Sequence, residues 1–202
     1  MTPASFTLSK PEPCTRLGDS LLDAPEVGVR ALHAGDEDRL RRMFSRTSRD
    51  TIHKRFHLPI PRVPEGMLDY LASKPVHQDR KALISLVGDE AVGHAMYVRS
   101  ENLCEAEIAI VVEDTWQSKG IGKLLLTHLA EEARRLGIKT LTSTVLGENR
   151  GALRFFSATF PEARFAAKDG LRYLRLPLQS PAGSETRTMA APRCRSSLAL
   201  DG

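Results

Sequence analysis

The period of the apolar positions changes several times along the chain, and each change marks an element. Residues 27–32 (VGVRAL) alternate at period two, as a strand with one buried face does. After Gly35-Asp36, the side chains Leu40, Met43 and Phe44 fall on one helical face, with acidic residues in the first turn. Ser48 then stands as the N-cap of a second helix, with Ile52 and Phe56 four residues apart behind it. Pro59, Pro61 and Pro64 interrupt that pattern, and Pro64-Glu65 opens a third helix whose buried side is Met67, Leu68 and Leu71. Residues 81–87 and 91–99 read as strands joined by a turn at Gly88-Asp89-Glu90. Residues 105–112 (EAEIAIVV) are a further strand, apolar through most of their length. Helical spacing returns from Gly120 to Leu136, with Ile121, Leu125, Leu129 and Leu136 on one side and Gly137 as the stop. Residues 140–146 are β-branched and strand-like, and residues 149–156 form a short helix. Residues 163–167 and 171–178 close the pattern as a hairpin around Asp169-Gly170.

The order is therefore β-α-α(α)-β-β-β-α-β-α-β-β over residues 27–178. It predicts an α+β domain with a mixed, mostly antiparallel, twisted sheet of about seven strands and helices on both faces. Residues 1–26 carry four prolines (Pro3, Pro11, Pro13 and Pro25) and read as an irregular arm. Residues 179–202, rich in Ser, Pro, Ala, Gly and Arg, read as a disordered tail.

Composition narrows the class without naming it. The 202 residues leave room for one domain plus tails, and 41% hydrophobic with 27% charged residues is ordinary for a globular protein. A net charge of +4 suits an anionic small ligand, while the lack of a basic stripe interleaved with aromatics argues against a nucleic-acid partner. The six histidines show no metal-ligand spacing, so no metal is expected. Cys14, Cys104 and Cys194 are an odd, scattered set, which points to reduced thiols in the cytoplasm. No apolar run is long enough for a bilayer and no secretory leader is apparent, so a membrane partner is not expected. Monomer and dimer both remain open.

Residues 111–123 (VVEDTWQSKGIGK) carry the chemistry. A strand ends in a short polar turn, two glycines at spacing two follow, and a long helix begins. The glycines let backbone approach a ligand closely, and the first turn of the helix offers unpaired N–H groups at the positive end of its dipole. That is an anion site suited to phosphates. Lys119 and Lys123 add positive charge around it. The motif is neither a Walker loop nor a full Gly-x-Gly-x-x-Gly.

In this setting Gln117-Ser118-Lys119-Gly120-Ile121-Gly122 resembles the acetyl-CoA signature of the GNAT superfamily of N-acetyltransferases, Gln/Arg-x-x-Gly-x-Gly/Ala. The element order over residues 27–178 is similar to that fold as well. The resemblance implies acetyl-CoA as co-substrate. Its pantetheine arm would pair with exposed backbone of Ile110, Val111 and Val112. Its pyrophosphate would lie on main-chain N–H groups of Gln117, Ser118, Lys119, Gly120, Ile121, Gly122 and Lys123. Residues 149–156 (NRGALRFF) resemble the family's Asn-x-x-Ala-x-x-x-Tyr helix beside the cofactor thiol, which makes Asn149 a further cofactor-site residue. Asn149 and Ala152 match, but Phe156 stands where the family often has the tyrosine that protonates the departing thiolate. Phenylalanine has no proton to give and reads as core packing. Either a water or another hydroxyl then does this job, or none is needed; Tyr173 is one such hydroxyl whose position the sequence does not give, whereas Ser157 is turned away around the helix.

Acetyl transfer to an amine needs a neutral nitrogen, and a lysine ammonium with a pKa of about 10.4 supplies little at pH 7. A base beside the groove must take the proton. Strand parity puts Glu105, Glu107, Ala109 and Val111 on one face. A carboxylate in an otherwise apolar central strand is costly without a task or a partner. Glu107 is the candidate general base, with partial burial expected to strengthen it, and it sits where many GNAT enzymes carry a catalytic glutamate. Glu105 is the fallback, and pairing of Glu107 with a surface arginine is the alternative reading. Glu113 and Asp114 read as strand-ending residues, Trp116 as a packing cap, and an N–H near Val111 as the oxyanion donor. Arg46, Arg49, Lys54 and Arg55 read as solvated helix charges, or as contacts to an acidic protein substrate or the 3′-phosphate.

The resemblance implies a primary amine as acceptor. Residues 44–56 (FSRTSRDTIHKRF) resemble a segment of bacterial protein-lysine acetyltransferase domains that modify acyl-CoA synthetases, which implies a protein lysine. A small amine, polyamine or antibiotic acceptor stays open. So does a non-catalytic acyl-CoA sensor, which Phe156 would suit.

Overall fold

Residues 26–72 and 79–178 are described in a computed structural model of the chain. Strand β1 (Val27–Ala31) leads into helices α1 (Glu37–Arg46), α2 (Arg49–Phe56) and α3 (Glu65–Ala72). A meander follows: β2 (Arg80–Val87), β3 (Glu90–Arg99) and β4 (Glu105–Val112). Helix α4 (Ile121–Arg135) crosses to β5 (Thr140–Leu146), and α5 (Arg150–Thr159) precedes the hairpin of β6 (Arg164–Lys168) and β7 (Leu171–Pro177). The expected arm, apart from Glu26, and the expected tail lie outside the described residues.

The strands form a seven-stranded sheet in the order β1-β2-β3-β4-β5-β7-β6. Every neighbouring pair is antiparallel except β4 with β5. The parallel pair arises because α4 carries the chain over one face between β4 and β5. Local chemistry agrees with the elements. Ser48 Oγ accepts from the Thr51 N–H at 3.2 Å and caps α2. Gly137, at φ 78°, follows α4 in a left-handed conformation. Asp169 and Gly170, both at positive φ, make the two-residue turn between β6 and β7.

Each face of the sheet carries its own core. On one side Leu125, Leu126 and Leu129 of α4 meet Ala106 and Ile108 of β4, together with Phe156 of α5. On the other, Leu40, Met43 and Phe44 of α1 join Ile52, Leu68 and Leu71 over Ile84, Met96 and Val111. Each fully buried aliphatic side chain contributes about 1.5–3 kcal/mol. Burial on both faces follows from strand parity, since even positions of β4 feed the first core and odd positions the second.

Three expectations change. Leu136 is exposed, because α4 ends at Arg135 and Ile138 fills the core position beyond the turn. Helix α5 runs on to Thr159, past the expected stop at Phe156, and a single 3₁₀ turn at Asp114–Trp116 stands between β4 and the glycines. Cys104 is disulfide-bonded rather than reduced.

The sheet is zipped unevenly. Strand β4 is registered with β3 over seven residue pairs, and β5 with β7 over seven. Between β4 and β5 only Glu105↔Thr140, Ala106↔Leu141 and Glu107↔Thr142 are paired. Beyond Glu107 each strand stays with its antiparallel partner and the two part. The described helices include none long and apolar enough to cross a membrane.

Candidate active site

Where β4 and β5 separate, a cleft of about 970 Å³ opens. It runs from the glycine loop to the end of α2, with Ser143 of β5 and Phe156 of α5 on its walls.

The loop end is made of backbone. Ser118 at φ 60° and Gly120 at φ 83° turn the chain sharply into α4. The N–H groups of Ser118, Lys119, Gly120, Ile121, Gly122 and Lys123 have no acceptor among the described residues; the helix ladder starts with Leu124 donating to the Gly120 carbonyl at 3.0 Å. These amides converge at a helix N-terminus, an arrangement that suits an anion. The Gln117 N–H is not among them, because it donates to the Asp114 carbonyl. Its side chain instead latches the loop, donating to the Val112 carbonyl at 3.1 Å and to Thr51 Oγ1 at 3.2 Å. Lys119 lies over the Trp116 ring at 4.5 Å, and Trp116 packs against the core. A Cβ on Gly122 would sit 3.7 Å from Phe155 and 3.9 Å from Val112, so the cleft wall is close there.

The splayed strand presents alternate amides. The Glu113 N–H donates to the Val92 carbonyl of β3, so odd-numbered residues of β4 aim their main-chain groups at β3. Val111, registered with His94, is one of these. The N–H groups of Ile110 and Val112, on either side of Val111, face the opening. The Val111 side chain is 4% exposed and belongs to the core. Asn149 accepts from the Ala152 N–H at 3.1 Å and caps α5, so its side chain works by fixing that helix beside the cleft.

The α2 end is made of side chains. Arg55, His57 and Glu107 line it. His57 caps α2 in a left-handed conformation, φ 57°, which a non-glycine residue adopts only under local constraint. Burial, helped by the positive charges of His53 and Arg55, lowers the His57 pKa and favours the neutral imidazole. Burial lowers the Arg55 pKa to about 10, with the Glu107 carboxylate opposing the shift. Glu107 itself is exposed rather than partly buried, because it stands where β5 leaves β4.

Two networks hold the ends together. Asp114 accepts from the Ser48 N–H, Ser48 Oγ and Thr51 Oγ1, each at 2.7 Å, tying the loop to the start of α2. Buried Glu113 pairs with Arg46 at 3.0 Å and accepts from Thr115 Oγ1 at 3.1 Å. Arg46 is therefore a paired charge although still exposed, and Glu113 and Asp114 do more than end a strand.

The other sequence candidates separate cleanly. Glu105 is gripped by Arg175 of β7 at 2.6 and 3.2 Å and does not line the cleft. Tyr173 is 42% exposed on β7 and lies away from the cleft lining, as does Ser157. Phe156 is 5% exposed and packs edge-on against Phe155 at 5.2 Å, as core packing predicts. Sequence reasoning missed His57 and Ser143, whose hydroxyl donates to the Ile108 carbonyl at 3.2 Å where the strands part. No local pattern marks either residue.

Comparison with known proteins bears on this geometry. Residues 42–160 match the model of the acetyltransferase (GNAT) family. An acetyltransferase of Pseudomonas aeruginosa is 30% identical over 136 residues, spanning 65% of this chain and 73% of that protein. The crystal structure of the GNAT domain of S. lividans PAT superposes with a TM-score of 0.69 at 26% identity, covering 76% of this chain and 91% of that one. A putative acetyltransferase from Salmonella typhimurium, solved with its cofactor acetyl-CoA, shares the fold at a TM-score of 0.60 and 19% identity, over 78% of this chain and 96% of that one. The chain belongs to the GNAT family of acetyltransferases, acyltransferases whose acetyl donor is acetyl-CoA.

Proposed function

We propose that the cleft moves an acetyl group from acetyl-CoA to a primary amine by direct attack, with Glu107 as general base. One observation carries this reading. A single continuous cleft joins the unpaired amides at the start of α4 to a carboxylate on the splayed strand.

The residues present fit the donor. Amides of Ser118 to Lys123 hold the pyrophosphate, and those of Ile110 and Val112 pair with the pantetheine arm. Gln117 and Asn149 contribute by fixing the loop and α5. Val111 contributes a wall. Glu107 takes a proton from the acceptor ammonium, directly or through one water. The neutral nitrogen then attacks the thioester carbonyl carbon. The N–H of Ile110 or Val112 meets the negative charge that develops on the carbonyl oxygen. As the carbon–sulfur bond breaks, the nitrogen gives up its remaining extra proton to solvent in the cleft, leaving a neutral amide, and the thiolate takes up a proton. Phe156 cannot supply that proton and Tyr173 does not line the cleft, so solvent in the open cleft is the source.

The resemblance of residues 44–56 to protein-lysine acetyltransferase segments supports a protein lysine as acceptor. The test is a screen of small primary amines and candidate proteins with acetyl-CoA, reading free thiol release and acetyl gain by mass spectrometry. Thiol release that depends on the amine is expected. CoA binding without any amine-dependent release would leave the protein a sensor and sink the reading.

A further inference from the structure

Among the described residues Arg55 is a cation without a carboxylate partner. In α1 and α2, Arg39, Arg41, Arg42, Arg46 and Lys54 each meet a carboxylate. Arg49 is exposed to water. Arg55 is half-buried on the cleft wall, stacked over Phe56 at 4.7 Å, and its Nε is shut from solvent with no acceptor among the described residues. A buried charge without a partner is costly, and a ligand that brings the partner removes the cost. Arg55 closes α2 and lines the cleft together with Glu107 of β4, on which α2 packs, and no ion pair joins the two.

We propose that Arg55 reads an oxyanion on the acceptor. The amine that this enzyme acetylates carries a carboxylate a few bonds from its nitrogen. The ammonium faces Glu107, and the carboxylate meets the Arg55 guanidinium in a charge-assisted hydrogen bond. The proposal rests on the acetyl-transfer reading above and narrows its acceptor. The carboxylate is either that of an amino acid itself or that of an acidic side chain beside a protein lysine.

Two matched pairs of acceptors test it. One pair is an ω-amino acid and the alkylamine of the same length. The other is a lysine peptide with aspartate beside the lysine and the same peptide with asparagine there. Wild-type protein should favour the carboxylate member of at least one pair by about 10- to 100-fold in kcat/KM. Which pair responds identifies the source of the carboxylate. Arg55→Gln should bring that ratio close to one, mainly through KM, and Arg55→Lys should keep part of it. A wild type indifferent to both pairs overturns the proposal, as does a preference that survives in Arg55→Gln. If no amine is acetylated, the acetyl-transfer reading falls on its own. Calorimetric titration of the CoA-loaded protein with the same pairs then decides about Arg55, by showing or failing to show carboxylate binding that Arg55→Gln abolishes.

Discussion

At one end of the cleft the groups that face a ligand are main-chain amides; at the other they are the side chains of Arg55, His57 and Glu107. The amide end needs only a backbone path, so its requirements fall on Gly120 and Gly122, while the exposed side chains of Ser118, Lys119 and Lys123 carry no such demand. The side-chain end has no such economy, since each group is one residue's chemistry and its position depends on α2 lying across β4. A donor shared by a whole family suits the first kind of site. An acceptor that differs from enzyme to enzyme suits the second.

The two ends should respond to mutation separately. Glu107→Gln should lower kcat by about 10²–10⁴-fold, the usual worth of a general base, while the affinity for acetyl-CoA measured by calorimetry stays at the wild-type value. A kcat within threefold or so of wild type would remove Glu107 from the reaction. Gly122→Val should act at the other end. Its branched carbons extend from a position already 3.7 Å from Phe155, into the space that phosphates need, and CoA affinity should fall by about 100-fold. Lys119→Ala should do little, because that side chain rests on Trp116. Retention of wild-type CoA affinity in Gly122→Val would mean the phosphates lie elsewhere.

Asp114 asks whether the ends are independent at all. It holds the loop to Ser48 and Thr51 across 66 and 63 residues of sequence. Burial works against its charge, yet the donors from Ser48 and Thr51 win and keep its pKa below the usual carboxylate value. The residue is exposed, so water competes for these bonds, and Asp114→Ala should cost only about 1 kcal/mol of stability. Its signature should be a joint one, with CoA affinity and acceptor KM both worsening by roughly threefold to tenfold for a loss of that size. A change confined to one end would show that the tie is structural only.

What the sequence disclosed follows the same division. The bounds of β4 and β5 were legible because β-branched runs end at polar turns, and the glycine loop because positive φ before a helix demands particular residues at fixed local spacing. The face on which Glu107 lies was legible from parity alone. Its exposure was not, since that depends on β5 leaving β4 after Thr142, a consequence of competing antiparallel partners. The direction of the Val111 amide likewise needs the register with His94. Arg46 and Arg55 looked alike in sequence, nine residues apart, with no local signal to separate them. The fold gives Arg46 a buried carboxylate and gives Arg55 the cleft.

A last variant should move stability and neither end of the cleft. Asp36, 2% exposed, accepts from Arg30 at 2.6 and 2.7 Å and from the His33 N–H at 2.9 Å, where β1 meets α1 and away from the cleft lining. The Arg30 hydrogen bonds lower its pKa from 3.8 to about 2 against the penalty of burial. At about 1.4 kcal/mol per unit, that is about 2 kcal/mol of stability. A depressed carboxylate contributes fully above its unfolded value, because the unfolded chain then binds no more protons than the folded one. As pH falls from 3.8 through 2 the unfolded chain takes up the proton first and the contribution is lost. Asp36→Asn should therefore be less stable than wild type by about 2 kcal/mol at pH 7 in urea unfolding, and the two curves should converge by about pH 2. At pH 7 its CoA affinity and its discrimination between acceptors should match wild type. A difference at pH 7 that persists unchanged at pH 2 would assign the loss to packing and not to charge, and an altered acceptor preference would show that the α2 end is not insulated from the β1–α1 junction.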